Sequence, residues 1–542
     1  VGAVLSALLP KTILEESSSL SYSPKEKLKG VFHETLLLQT DEEERFATYR
    51  SLIREEFAKN RSVFFCLPTT EDLLNAKGIL EKGIEKYTYT VHSGLSKKEI
   101  LNLWQKIVSD EHPVLIIGTG SFLSIPRDDI GTIILEKESS RAYKMQQRPY
   151  IDLRTSAEII AKVGNIKLVL GDILLRVETL WEEKNPSKNG TYSELSPLKF
   201  RSLTTANTEV VNMKSPQDMK KKEFMIFSDK LKELLRNTKE NNEHTFIFCG
   251  RKGLYPMTVC SDCGTVVVCK NCNAPIVLYG KKSTEGQNKN LFVCHHCGER
   301  RDAAELCAHC GGWRLNPLGI GIERVVEEII TLIPGANVIV MDKEHVTTHK
   351  QAVKARNLFY STPGSFMVGT EMSLTYLNQK IENTAVVSLD SYFSIPDFQI
   401  NEKIFHILLA LRSISEKNFI IQTRQENTKI FEYANRGNLV DFYRDEIEDR
   451  KTIGYPPFTT YIKISLLGEK TIIKKKINEV AEFLKPFELQ IYDAWNPGNT
   501  QKYTIHGLIG LRRGRWIEQE LLAKLRSLPP QYIIKIDPVT LL

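Results

Sequence analysis

Between residues 31 and 182, short apolar runs alternate with helical periodicity: TLLLQ from Thr35, RFATYRSLIREEFA from Arg45, SVFFCLP from Ser62, PVLIIGT from Pro113, GTIILE from Gly131 and KLVLGD from Lys167. Apolar runs without polar alternation are strands buried on both faces, and when helical segments separate them they predict a parallel sheet with helices on both sides. Residues 183–222 are polar and rich in Lys, Asn, Ser and Thr, the composition of a linker. A second alternation begins near Phe224 and resumes with ANVIVMD from Ala336, SFMVGT from Ser365 and TAVVSLD from Thr384. From about Leu439 the pattern changes to a charged helix, YRDEIEDRK, then the turn GYPPF (454–458) and two long strand and helix alternations. No internal repeat or long low-complexity tract interrupts this order.

What separates the two halves of the second alternation is cysteine. Eight of the ten cysteines form four CxxC pairs, Cys260/Cys263, Cys269/Cys272, Cys294/Cys297 and Cys307/Cys310. A CxxC knuckle turns two thiolates toward one point, so four knuckles supply ligands for two closed, all-cysteine zinc sites. Residues 275–279 and 291–293 read as strands around a polar turn, and such a hairpin brings the second pair beside the third. This pairs Cys269, Cys272, Cys294 and Cys297 in one site, and Cys260, Cys263, Cys307 and Cys310 in the other. A disulfide framework is the alternative, but the chain is long and carries no secretory signal. His295, His296 and His309 are then bystanders, and Cys66 and Cys249, in apolar runs, read as buried small hydrophobes.

The 542 residues suggest three or four domains, and 73 Lys+Arg against 66 Asp+Glu give a net charge of +7, a mild excess that permits a polyanion partner. No apolar run is long enough for a membrane helix, so a reducing cytoplasm is the expected location. The chain begins at Val1 rather than Met, which leaves a preceding segment open.

Two α/β segments, the second split by a cysteine-rich insertion, resemble the PriA family of primosomal replication-restart helicases over almost the whole chain. The carrying motifs are the four CxxC pairs followed by GIGIERVVEEI (319–329), HSGLS (92–96), PDF (396–398), GYPPF (454–458) and the closing IDPVTLL (536–542). The resemblance implies an α/β protein of two RecA-like helicase lobes, the second carrying an inserted zinc module with two four-cysteine sites, plus an α+β C-terminal domain. The expected boundaries are 1–30 for an N-terminal remnant, 31–200 for lobe 1, 201–257 and 317–435 for lobe 2, 258–316 for the zinc insertion and 436–542 for the C-terminal domain. Family members usually carry a 3′-end-binding domain and a winged helix before the first lobe; residues 1–30 offer room for neither, although VGAVLSALLP resembles the tail of the former.

The family's nucleotide motifs are where this sequence departs. A helicase of this kind needs a glycine-rich loop ending in Gly-Lys-Thr, whose amides and lysine cradle phosphates while the hydroxyl holds magnesium. This chain has Gln39, Thr40, Asp41, Glu42, Glu43, Glu44, Arg45 and Phe46 there. Four adjacent carboxylates repel a triphosphate, and Phe46 cannot ligate a metal. Arg45 reads as a charged residue in the first turn of a helix, a place that acidic residues also suit. For Asp-Glu-Glu-His the chain has Glu136, Lys137, Glu138 and Ser139, and Lys137 cannot orient a water as a carboxylate does. The Ser-Ala-Thr coupling motif is Asp172, Ile173 and Leu174. In the second lobe the expected glutamine is Ala410 and the expected arginines are Ile414 and Lys417, with Arg412 off register. The GTQM-like motif is GTEM (369–372), and the glycine and acid that normally follow are Tyr376 and Asn378. The expectation is a degenerate site at Gln39, Glu44, Arg45, Phe46, Glu136 and Lys137, with no catalytic residue and neither ATP nor magnesium as cofactor.

By resemblance, the zinc module and C-terminal domain contact forked or single-stranded DNA and partner proteins, with primosome or single-strand-binding proteins as candidates. Basic residues Lys270, Lys281, Lys282, Lys289, Arg300, Arg301 and Arg314, with Tyr279, Phe292 and Trp313 between them, suit phosphate contact plus base stacking. Solvated loop charge is the plain alternative. Arg512, Arg513 and Arg515 beside Trp516 form a second such cluster, whereas KTIIKKK (470–476) reads as an amphipathic helix and MKKKEF (219–224) as linker charge. The expected DNA contacts are thus Lys281, Lys282, Arg300, Arg301, Arg512, Arg513 and Arg515. The preferred function is a helicase-dead DNA-binding protein of replication restart or primosome assembly. Two alternatives stand beside it: an active ATP-dependent 3′-to-5′ DNA helicase in which Arg45 replaces the loop lysine, and a zinc-ribbon scaffold for RNA or protein.

Overall fold

The apolar runs of the first lobe form strands β1 (Thr35–Gln39), β2 (Ser62–Cys66), β3 (Thr88–Val91), β4 (Leu115–Gly118), β5 (Ile130–Glu136), β6 (Lys167–Asp172) and β7 (Tyr192–Glu194). They make one parallel sheet in the order β3-β4-β2-β5-β6-β1-β7. Strands β1, β2, β4 and β5 are buried along their whole length, which is why their sequences lack alternation. The helix Glu42–Ala58 begins at Asp41, whose side chain accepts from Glu44 N at 3.0 Å. The run of four carboxylates is therefore an N-cap followed by an acidic first turn, both favourable at the positive end of a helix.

The computed structural model describes the chain except residues 1–3, 5–6, 17–32, 186–191, 214–224, 251–256, 261, 264, 271–275, 282–288, 295–298, 319–320, 396, 426–428, 495–502 and 542. It divides into two units, residues 1–200 with 447–542, and residues 201–446.

In the second unit, β8 (Asn207–Asn212) and β9 (Thr245–Cys249) precede the cysteine-rich insertion. The insertion contains β10 (Met257–Cys260), β11 (Val277–Lys281), β12 (Lys289–Val293), β13 (Arg300–Asp302) and β14 (Leu315–Leu318). After it come β15 (Asn337–Met341), β16 (Ser365–Gly369), β17 (Ile381–Ser388) and β18 (Ser415–Thr423). The main sheet is parallel, in the order β15-β16-β9-β17-β18-β8. The insertion has its own antiparallel pair β10-β14 and antiparallel sheet β11-β12-β13, so it leaves and rejoins the lobe between β9 and the helix Ile322–Leu332.

Residues 447–542 belong to the same unit as the first lobe. Their strands β19 (Thr459–Gly468), β20 (Gln490–Ala494), β21 (Tyr503–Arg512) and β22 (Ile533–Ile536) form an antiparallel sheet in the order β20-β21-β19-β22. The helices Lys470–Phe483 and Gln519–Ser527 cover one face through Ile473, Ile477, Val480, Leu521 and Leu525. The molecule is thus an α/β protein with two lobes built on parallel sheets, a cysteine-rich module in the second and an α+β C-terminal part. The linker expected over 183–222 is more ordered than its composition suggests, since it supplies edge strands β7 and β8 to the two parallel sheets. Edge strands need bury only one side, so polar composition does not exclude them. Among the described residues, no helix is long and apolar enough to cross a membrane.

Candidate functional site

Among the described residues, the inserted module has little apolar core. Its described buried cluster is Cys260, Cys269, Ile276, Phe292, Cys294, Cys307 and Leu315, so cysteines stand where a larger domain would place aliphatic side chains. Two tight turns aim four of the sulfurs at one point. Cys260 N donates to Thr265 O at 2.9 Å, closing the first knuckle. In the other, Cys307 N donates to Gly312 O at 2.8 Å and Gly311 N to Cys307 O at 2.9 Å. Gly311 sits at φ +69°, a left-handed conformation that favours glycine.

The sulfurs of Cys260 and Cys310 are 3.6 Å apart, as are those of Cys263 and Cys307, and the four ligand atoms lie within 4.8 Å of one another. A tetrahedral zinc with Zn–S bonds of about 2.3 Å separates its sulfurs by about 3.8 Å, so the donor set fits a closed metal site. Burial pushes the Cys260 thiol up to about 12. Burial also works to raise Cys263, but hydrogen bonds from Thr265 and the neighbouring cysteines bring it down to about 6. With four protein sulfurs, such a site leaves no position for a reacting water.

Of the second quartet, Cys269 and Cys294 are buried, while Cys272 and Cys297 lie outside the described residues, as do His295 and His296. The β11-β12 hairpin pairs Val277 with Val293 and delivers Cys294 at its end. Cys269 Sγ lies 2.5 Å from Glu299 Oε2, and Cys294 N donates to Glu299 O at 2.9 Å.

In open parallel sheets, ligands bind beyond the carboxyl ends of the strands. In the first lobe that edge carries Gln39 on β1, Glu136 on β5 and Asp172 on β6, and it is occupied by the protein's own side chains. Arg45 reaches Glu136 with NH2 to Oε1 at 2.6 Å and Nε to Oε1 and Oε2 at 3.1 and 3.2 Å. Its NH1 donates to Thr40 O at 2.5 Å, and Tyr49 Oη donates to Glu136 Oε2 at 2.6 Å. Burial disfavours the charge on Arg45, but the adjacent Glu136 carboxylate outweighs it and raises its pKa. Burial and the same carboxylate hold the Tyr49 phenol well above its ordinary range, so it remains a donor.

The surrounding polar groups are likewise engaged. Gln39 donates from Nε2 to Lys199 O and accepts from Leu175 N, each at 2.9 Å. Lys137 pairs with Asp72, and Glu44 accepts from Thr40 Oγ1 at 2.6 Å and pairs with Lys199. Asp172 accepts from Ser139 N at 2.9 Å and Ile173 N at 2.7 Å. Phe46 packs against Tyr49 and Phe65.

Arg45 is therefore no solvent-facing charge of a first helical turn. The helix buries Arg45, Phe46, Tyr49, Leu52, Ile53 and Glu56, spaced as one helical face, and that spacing was the available signal in the sequence. In the second lobe, Arg412 is buried and donates from NH1 to Ser202 O at 2.7 Å, while Lys417 pairs with Glu243 at 2.6 Å.

The basic residues of the insertion differ in availability. Arg300 is exposed, but Arg301 lies over the Phe292 ring at 5.4 Å, pairs with Glu299 and Glu305, and donates to Val268 O at 3.0 Å. Phe292 is fully buried beneath it, which removes it from any base-stacking surface; Trp313 is 77% exposed. The side chain of Lys281 and the whole of Lys282 lie outside the described residues. At the end of β21, Arg512 and Arg515 are exposed, and Arg513 pairs with Glu182. Cys66 and Cys249 are buried, and burial pushes the Cys66 thiol up to about 12.

No family model matches the chain. Curated relatives do. The replication restart protein PriA of Bacillus subtilis is 26% identical over 405 residues, covering 73% of this chain and 48% of that protein. That of Thermotoga maritima is 24% identical over 493 residues, covering 90% of this chain and 64% of that protein. That of Synechocystis sp. is 25% identical over 477 residues, with 85% and 56% covered. The chain therefore spans between about half and about two thirds of the length of these relatives. Among solved structures, S. cerevisiae Dbp5 bound to RNA and ADP BeF3 gives a TM-score of 0.40 at 10% identity, covering 82% of this chain and 97% of that one. RecG bound to a three-way DNA junction gives 0.39 at 10% identity, covering 82% and 52%. Likenesses this loose do not bear on function. Several curated PriA proteins at about a quarter identity, covering 73% to 90% of this chain, place it in the PriA family as a divergent member.

Proposed function

We propose that this is a PriA-like protein of replication restart and primosome assembly that binds forked or single-stranded DNA as a scaffold, and whose first lobe has exchanged its ATP site for a structural ion pair. The observation that carries the second part is the buried Arg45–Glu136 pair, closed by Tyr49, at the sheet edge where phosphates and magnesium would bind. A triphosphate there would have to displace Arg45 from Glu136 and leave that carboxylate buried against a polyanion, a costly exchange in a low-dielectric site. The lysine and hydroxyl nearest to it offer no compensation, because Lys137 is paired with Asp72 and the Thr40 hydroxyl with Glu44.

Two zinc ions belong to this reading. The first is held by Cys260, Cys263, Cys307 and Cys310, and the second by Cys269, Cys272, Cys294 and Cys297. Zinc bound this way supplies folding energy to a module with little apolar core, and no chemistry. Arg300, Arg512 and Arg515, which face solvent, are the preferred phosphate contacts, with Trp313 available for stacking on an unpaired base.

The test is equilibrium binding of labelled forked DNA, single-stranded DNA and structured RNA across a salt series. A fork or single-strand preference, with a salt slope that shrinks in an Arg512→Ala/Arg515→Ala double variant, is the expected result. Affinity for none of the three, or an unchanged slope in the variant, overturns the reading.

A further inference from the structure

We infer that the helix Val177–Lys184 is a strut that fixes the C-terminal sheet to the first lobe, anchored at Glu138 on one side and received by the GYPPF turn on the other. The inference goes beyond the reading above and holds whether or not the chain turns over ATP.

The anchor sits just past β5. Glu138 is completely buried, and its carboxylate accepts from Arg176 N at 3.0 Å, from the Arg176 guanidinium and from Thr179 Oγ1 at 2.8 Å. Its backbone is fixed as well: Glu138 N donates to Gly171 O at 3.1 Å, and Glu138 O accepts from Arg154 NH1 at 2.8 Å. The carboxylate thus holds both the residue before the helix and a residue of its first turn.

Glu178, Trp181 and Glu182, spaced three and four apart, share a different face of the helix, and this face meets the C-terminal part. Arg450, whose side chain is 1% exposed, pairs through NH1 with Glu178 Oε1 at 3.1 Å and donates to Pro456 O at 3.4 Å. The Phe458 ring meets the Trp181 ring edge-on, with centroids 4.7 Å apart. Arg513 pairs with Glu182 and donates to Asn185 O at 3.4 Å.

The GYPPF segment therefore has a physical role. Gly454, at φ +81°, turns the chain after the helix Leu439–Ile453, and its carbonyl accepts from Tyr461 Oη at 3.0 Å. Pro456 offers its carbonyl to Arg450, and Phe458 supplies the ring for Trp181. Phe458 O in turn accepts from Arg513 N at 2.9 Å, which ties the turn to the end of β21 where Arg512 and Arg515 project.

The experiment is hydrogen–deuterium exchange by mass spectrometry on the full chain, with Glu138→Gln and Trp181→Ala as variants. Glu138→Gln keeps the shape and removes the charge that holds Arg176. Its expected effect is exchange in β19 and β21 faster by about tenfold, the scale of one lost charge-assisted hydrogen bond, with β15 to β18 unchanged. Trp181→Ala attacks the opposite face of the helix and leaves Glu138 in place; it should loosen β19 and β21 similarly without changing exchange around Glu138. Faster exchange confined to residues 136–184, with β19 and β21 at the wild-type rate in both variants, overturns the inference. Should Glu138→Gln fail to fold, Trp181→Ala decides alone, because β19 and β21 must respond to it if the helix is the strut.

Discussion

Replacing Arg45 with alanine should lower the stability of the unit formed by residues 1–200 and 447–542 far more than the loss of a surface charge would. The two side chains are 3% and 0% exposed. After the substitution Glu136 keeps the Tyr49 hydroxyl at 2.6 Å but loses three close approaches from the guanidinium, at 2.6, 3.1 and 3.2 Å. Removing one partner of a buried pair costs about 3–5 kcal/mol, because the remaining charge stays buried. At about 2–4 °C per kcal/mol for a unit of this order of size, the melting transition should fall by roughly 6–20 °C. Glu44→Gln is the control. Its pair with Lys199 is 43% and 49% exposed, so the loss is at most about 1 kcal/mol and the shift no more than about 4 °C. Both variants are melted by calorimetry and titrated with a fluorescent ATP analogue. If Arg45→Ala melts within about 1 °C of the parent while abolishing nucleotide binding, Arg45 is a phosphate ligand and the argument from its burial is wrong.

Three further outcomes follow from the same physics. Burial, aided by the Lys463 and Lys535 cations facing it, holds His506 down to about 3. As pH falls below about 6.5 the unfolded chain takes up a proton that the folded chain refuses, so stability declines by up to about 1.4 kcal/mol per pH unit. Denaturant titrations from pH 7 to 5 should show this slope reduced in His506→Leu, and an identical slope would count against it. Metal analysis should find about two zinc ions per chain and about one in Cys310→Ser; equal content in both would contradict the assignment of that quartet. A Cβ on Gly171 would lie 1.7 Å from Tyr49 Oη, so Gly171→Ala should destabilise by about 1–3 kcal/mol. Gly171→Ala should cost less in a Tyr49→Phe background than in the parent, and an equal cost in both backgrounds would refute the packing argument.

The elements that were legible in the sequence are those whose burial is uniform. The run KLVLGD coincides with β6, and TLLLQ with β1, because strands covered on both faces need apolar residues at every position. Elements buried on one side only were harder to read: β7 and β8 lie in a segment whose composition is that of a linker, and each sits at a sheet edge. Individual charged side chains were least legible. Helical spacing puts Arg45 on the apolar face of its helix, but sequence names neither its partner Glu136 nor the Phe292 ring under Arg301, because these become neighbours only through the fold. The cysteine knuckles were plain because CxxC is a local geometry. By contrast, the union of residues 447–542 with the first lobe depends on contacts such as Trp181–Phe458, between residues far apart in the chain.

The central claim is that the first lobe's nucleotide edge is filled by the chain's own ion pair. The most direct test is ATP hydrolysis by the purified full chain, with and without forked DNA, beside equilibrium binding of a labelled ATP analogue. The account predicts no analogue binding and no turnover in either condition, with fork binding retained. DNA-stimulated turnover would contradict it, and would mean that Arg45 leaves Glu136 to serve a working motor.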